Sequence, residues 1–140
     1  MTKAKLLGLA LAMIVSFSGA AWAQGDAEAG KKVFKKCKAC HTLDEGGKKR
    51  VGPNLWGILG RQAGSVEGFK FSGDMTAAGE AGLVWSEETL ASYLRKQDGT
   101  KVFVGTFIDK KKAKTKMAFP GLKKEDDVAN IVAYIKANTQ

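Results

Sequence analysis

The segment Cys37-Lys38-Ala39-Cys40-His41 constrains this chain more than any other. Cysteines three apart fall on one face of a helical turn, and a histidine directly follows the second. C-x-x-C-H is the spacing at which a c-type haem is attached. Two thiols reach the two vinyl groups on one edge of a porphyrin as thioethers, and the adjacent imidazole points at the iron from one side. The competing chemistries need residues the chain lacks. A structural zinc site takes four Cys or His ligands; the chain holds two Cys and one His, all within these five positions. A thioredoxin-like dithiol belongs in a strand-rich βαβ setting, and no such pattern surrounds the motif. A plain disulfide leaves His41 without a role.

Ahead of the motif, Lys3 and Lys5 precede an apolar run from Leu6 to Val15, and small residues lead to Ala21-Trp22-Ala23. A basic start, a short apolar core and an A-x-A end predict a secretory signal peptide over 1–23, cleaved before Gln24. The run is short for a membrane span; the alternative is an uncleaved N-terminal anchor. Residues 24–140 are then a single domain, enough for one modest core, to which a buried haem adds apolar surface. Export accounts for the cysteine usage, since free thiols oxidise outside the cytoplasm and both are consumed here as thioethers. The net charge is +9, or +7 without Lys3 and Lys5. Such a charge seeks acidic protein surfaces or anionic lipid. Nucleic acid is disfavoured by the compartment and by the lack of aromatics interleaved with the lysines.

Asp26 as N-cap and Glu28 in the first turn predict a helix over 26–38, with Ala29, Val33, Phe34 and Cys37 on one face. Gly30 inside it is either a point of close approach to another helix or a tolerated cost. The stretch around Pro53 is loop, and its carbonyl offers an acceptor for the second ring N–H of His41, which a metal-bound histidine donates. Residues 60–82, rich in Gly, Ser and Ala, read as irregular loop, a sensible wrapping for a flat cofactor. Ser86, Glu87 and Glu88 start a helix after Trp85, which staples onto Leu90; Leu90, Tyr93 and Leu94 form its inner face. The chain turns at Asp98-Gly99. Within 95–116, Val102, Phe103, Val104, Phe107 and Ile108 mark a partly buried insertion, and Lys110, Lys111, Lys112 and Lys114 a solvated run. A last helix spans 124–138: acidic residues at its start and Lys136 near its end match the dipole, and Val128, Ile131, Val132 and Ile135 form its buried stripe. With no alternating strands, the fold class is all-α.

With His41 the only histidine, a second imidazole at the iron is excluded. Met, Lys, Tyr, water or nothing remain. With Met13 in the leader, the candidate methionines are Met75 and Met117, and position alone does not separate a ligand from core filler.

From Gln24 to Gln140 the chain resembles a class I cytochrome c, of the soluble bacterial periplasmic kind close to mitochondrial cytochrome c, in a long-loop form. The resemblance rests on C-K-A-C-H, G-P-N-L at Gly52 to Leu55, Gly60-Arg61, W-S-E-E-T-L at Trp85 to Leu90, T-K-M-A-F-P-G at Thr115 to Gly121 and A-Y-I-K at Ala133 to Lys136. It implies a cytochrome c fold in which the N- and C-terminal helices cross, Gly30 and Phe34 meeting Ile131 and Tyr134, while loops wrap one covalent haem c. It implies Met117 as the ligand opposite His41, Pro53 as acceptor for the His41 N–H, Tyr93 bonding the methionine sulfur, and Arg61, Trp85 and Thr115 near the buried propionates. Lys36, Arg50, Lys116, Lys123 and Lys124 would surround the exposed haem edge. They would meet acidic docking surfaces on membrane redox complexes: a quinol–cytochrome c reductase, a terminal oxidase or a photosynthetic reaction centre. The implied protein is a monomeric periplasmic one-electron carrier and not an enzyme; a catalytic or gas-binding haem protein needs an open distal side. Two positions depart from the family pattern. Phe71 stands where a tyrosine often bonds a propionate, and Met75 stands near a position where many relatives carry asparagine.

Overall fold

The computed structural model describes residues 24–96 and 99–139. The expected leader over 1–23 and Asp98 of the expected turn lie outside them. Among the described residues there are five helices: α1 (Ala27–Phe34), α2 (Gly73–Glu80), α3 (Glu87–Leu94), α4 (Thr100–Thr106) and α5 (Glu125–Asn138). Among the described residues β pairing is confined to two isolated bridges, Gln62 with Val84 and Arg95 with Leu122. The all-α expectation holds.

The Asp26 carboxylate caps α1 by accepting from the Glu28 and Ala29 N–H groups. The helix ends at Phe34, four residues before the expected Lys38. There the backbone tightens: Cys37 N–H donates to the Phe34 carbonyl at 2.8 Å, and Cys40 and His41 N–H both donate to the Cys37 carbonyl at 3.0 Å. This tight turn, rather than a continued helix, presents the two thiols and the imidazole. α1 packs chiefly against α5. A Cβ on Gly30 would lie 2.0 Å from the Asn130 carbonyl oxygen, so glycine is required by the approach of the two backbones. Phe34 tilts onto Tyr134 at 5.4 Å between ring centroids. The α5 stripe of Val128, Ile131, Val132 and Ile135 is buried as expected.

Residues 60–82 are not all loop, because α2 lies within them. Ser72 caps it by accepting from the Met75 N–H, Asp74 sits in the first turn, and alanines fill its middle. Its glycines have local reasons: a Cβ on Gly79 would strike the Ala63 carbonyl at 2.0 Å, whereas one on Gly73 would meet nothing within 4 Å. The expected start of α3 is borne out as a capping box, with Thr89 as the reciprocal partner of Ser86. The insertion folds one more helix, α4, entered through Gly99 at φ +64° and anchored by the fully buried Val104. It packs on α2 and α3.

Candidate functional site

The turn after α1, the loop around Pro53, the inner face of α3 and the segment after α4 enclose one cavity of about 270 Å³. A single water needs only about 10–15 Å³ by this kind of measure, so the cavity is sized for a ligand. Cys37, Cys40, His41, Pro53, Arg61, Trp85, Tyr93, Thr115 and Met117 all border it, as do Lys36 and Lys116. Arg50, Lys123 and Lys124 are not in its wall.

Burial pushes the Cys37 thiol up to about 11, against the pull of Lys36 beside it. The thiol is therefore held protonated and apolar until it is bonded. His41 lies flat over Gly52, where a Cβ would come within 2.3 Å of its Cε1. His41 Nδ1 lies 2.8 Å from the Pro53 carbonyl oxygen. A carbonyl only accepts, so Nδ1 carries the proton and Nε2 keeps its lone pair. Burial lowers the His41 pKa, with the Pro53 carbonyl opposing, which favours the neutral, ligating ring.

Across the cavity the Tyr93 hydroxyl donates to Met117 Sδ at 3.2 Å. Burial raises the Tyr93 pKa far above its ordinary value, so the donor stays protonated. Trp85 stands edge-on to Tyr93 at 5.0 Å between centroids. Met75 also lines the cavity, buried in α2, but among the described residues no hydrogen-bond donor addresses its sulfur.

Among the described residues, two buried polar atoms at the cavity have no protein partner: Arg61 Nε and Thr115 Oγ1. The Arg61 guanidinium otherwise donates to the Trp56 carbonyl at 2.8 Å and to the Asn54 carbonyl at 3.5 Å, and burial lowers its pKa. Orphaned buried donors are costly, and a cationic one calls for an anionic acceptor. Two thiols on one turn, a lone pair on Nε2 and unpaired donors suited to carboxylates fit a porphyrin bearing propionates. Phe71 borders the cavity edge-on to Phe69 at 4.7 Å and brings no hydroxyl. Among the described residues no helix is long and apolar enough to cross a membrane.

Sequence reasoning did not find Gly52 as the seat of the imidazole, nor the link between Lys116 and the loop opposite. Lys116 Nζ donates to the Lys70 carbonyl and sits 5.9 Å from the Phe69 ring centroid. Lys49 Nζ likewise donates to the Gly68 carbonyl. These contacts join segments far apart in sequence and have no periodic signal.

A sequence model of the cytochrome c family matches residues 27–139. A cytochrome c2 of Rhodospirillum rubrum is 43% identical over 136 residues, covering 97% of this chain and 98% of that one. A cytochrome c-551 of Roseobacter denitrificans is 39% identical over 138 residues, covering 94% and 96%. The solved structure of cytochrome c2 from Rhodospirillum centenum superposes with a TM-score of 0.75 at 39% identity, over 83% of this chain and all of that one.

Proposed function

The chain belongs to the cytochrome c family and carries one covalently attached haem c as an electron-transfer protein rather than an enzyme; from that premise we propose that it is a soluble periplasmic one-electron shuttle with His41 and Met117 as axial ligands. The observation that carries the reading is the pair of oriented side chains on the one cavity: His41 fixed through Nδ1 by Pro53, and Met117 fixed through Sδ by Tyr93. Both sit within reach of the wall that holds Cys37 and Cys40.

Bound haem supplies the ferrous–ferric couple. The protein supplies everything that makes the couple reversible and tuned. Cys37 and Cys40 hold the group as thioethers, so it stays with the chain through each cycle. His41 presents Nε2 with a fixed ring plane. Met117 offers a soft thioether, a ligand that favours the reduced state, and the Tyr93 hydroxyl draws density from its sulfur. Arg61, Thr115 and Trp85 serve the propionate side, and the apolar wall disfavours added charge on the metal. His41 and Met117 would both hold the iron, which would leave no place on it for a substrate.

The domain is 24–140 after removal of the leader. Lys36 and Lys116 mark the mouth of the site, with Arg50, Lys123 and Lys124 extending the positive field. Such a field speeds encounter with acidic docking faces more than it tightens the complex. The partners are membrane redox complexes: a quinol–cytochrome c reductase on the reducing side, a terminal oxidase or photosynthetic reaction centre on the oxidising side. A redox titration of the exported protein tests the role. A single reversible one-electron step, with no carbon monoxide uptake by the reduced form, is the expected result; carbon monoxide binding would overturn it.

A further inference from the structure

We infer that Asp74 is a positioning residue for the Met117 side of the site, its carboxylate being the tether for the stretch of backbone that delivers the sulfur. The inference rests on the reading of Met117 as axial ligand. Segment 114–121 carries Met117 across the cavity. Among the described residues its backbone makes no hydrogen bond to other backbone. The chain is fixed just before it, where the Ala113 N–H donates to the Lys101 carbonyl at 2.8 Å, and just after it, where the Leu122 N–H donates to the Leu94 carbonyl at 2.7 Å. Between these points, among the described residues, the backbone is held once: the Lys114 N–H donates to Asp74 Oδ2 at 2.6 Å. The other oxygen, Oδ1, takes Lys110 Nζ at 2.6 Å. Both oxygens of one carboxylate thus fasten the insertion to α2.

The geometry makes this more than a surface ion pair. Asp74 stands in the first turn of α2, next to the buried Met75, so its anchor is a packed helix. Its side chain is 14% exposed, against 51% for Lys110. Met117 is three positions on from Lys114, a reach of about 10 Å at full extension, so fixing the Lys114 N–H limits where the sulfur can go. Segments with few backbone hydrogen bonds open at the lowest free energy in a fold. Its other restraints are side-chain contacts, Lys116 to the Lys70 carbonyl, Tyr93 to Met117 Sδ and the packing of Met117 and Phe119 on the core, and the close approach of Gly121 to the Lys96 backbone. Asp74 therefore sets how often the sulfur leaves.

The test is the rate at which imidazole binds the ferric holoprotein, since an added ligand enters only when the methionine has left. Stopped-flow absorption follows the loss of the sulfur-to-iron band. Asp74→Ala raises the rate about tenfold or more, while the resting spectrum keeps the band, as the loss of a charge-assisted hydrogen bond predicts. Asp74→Asn keeps an acceptor for the Lys114 N–H and raises the rate a few-fold; it serves as the decisive variant if the alanine form does not fold. Lys110→Met removes only the ion pair and changes the rate by less than about threefold, within the range of an exposed pair. Glu87→Gln removes the remote Glu87–Lys136 pair and leaves it unchanged. Rates within about twofold of native for both Asp74 variants would overturn the inference, as would Lys110→Met matching Asp74→Ala. A native ferric protein without the band would fail the ligand reading itself, and the tether with it.

Discussion

Replacing Tyr93 with phenylalanine removes one hydroxyl from the wall behind Met117. That hydroxyl donates to Met117 Sδ at 3.2 Å. The ring is wedged edge-on between Trp85 at 5.0 Å and Phe103 at 6.2 Å between centroids, so a phenylalanine ring keeps its place. Donation withdraws density from the sulfur and favours the reduced state; removing it lowers the potential. A neutral hydrogen bond contributes about 0.5–1.5 kcal/mol net, and a thioether is a weak acceptor. For one electron, 59 mV corresponds to tenfold, or 1.4 kcal/mol. The whole bond thus corresponds to about 20–60 mV, and the difference between oxidation states cannot exceed it by much. We predict a fall of about 20–60 mV in a spectroelectrochemical titration. Because burial keeps the phenol protonated, the gap between native and variant stays constant from about pH 6 to 9, below even the ordinary tyrosine pKa near 10. A potential unchanged within about 10 mV, or raised, would refute the role of this hydrogen bond.

Three further outcomes follow from other parts of the chain. Gly30→Ala gains about 1 kcal/mol of helix propensity but drives a Cβ to 2.0 Å from the Asn130 carbonyl, a backbone clash costing about 3 kcal/mol or more. A net loss near 2 kcal/mol lowers Tm by about 8 °C, while Gly73→Ala, with open space around its Cβ, is neutral or stabilising by up to about 1 kcal/mol; thermal melts moving the same way by the same amount would contradict the packing. Arg95 donates to both oxygens of Glu125 at 2.8 Å and holds that carboxyl below its ordinary range. A folded pKa depressed in this way adds stability above the unfolded carboxylate value, lost as pH falls through the folded one. Glu125→Gln is therefore weaker than native at pH 7 by about 0.2–1 kcal/mol for so exposed a pair and equal to it in strong acid, read by urea melts at several pH values; a difference that persists in acid counts against the pair. Lys116→Glu slows electron transfer to an acidic partner at low salt several-fold, an effect erased by high salt. Lys116→Met, which also loses the Lys70 contact, sets the baseline, and a rate equal to it for the glutamate variant would exclude this docking face.

Much of the site was legible because its chemistry is local. Cys37, Cys40 and His41 are fixed by a five-residue turn, and the caps of α1 and α3 are written within three residues of their helices. The Pro53 contact was legible as well, since a histidine proposed as a ligand needs an acceptor for its second ring N–H, and the Pro53 carbonyl lies 2.8 Å from Nδ1. α2 escaped because glycines flank a short, weakly amphipathic stretch, and its start depends on a cap at Ser72 that looks like any loop serine. α4 escaped because Gly99 enters it with a backbone angle rather than a capping side chain. The Asp74 tether was illegible for a deeper reason. It joins α2 to residues 36 and 40 positions later, and no period or motif records that meeting. Gly30 shows the intermediate case: its presence in a helix was visible, but only the α5 backbone beside it decides between tolerance and need.

The most direct test of the axial pair is the far-red absorption of the ferric protein, native against Met117→Leu, alongside the intact mass of the native form. His41 and Met117 as ligands predict a mass equal to residues 24–140 plus one haem, with a sulfur-to-iron band that disappears in the leucine variant. A band that survives the substitution, or a colourless mature chain, would contradict it.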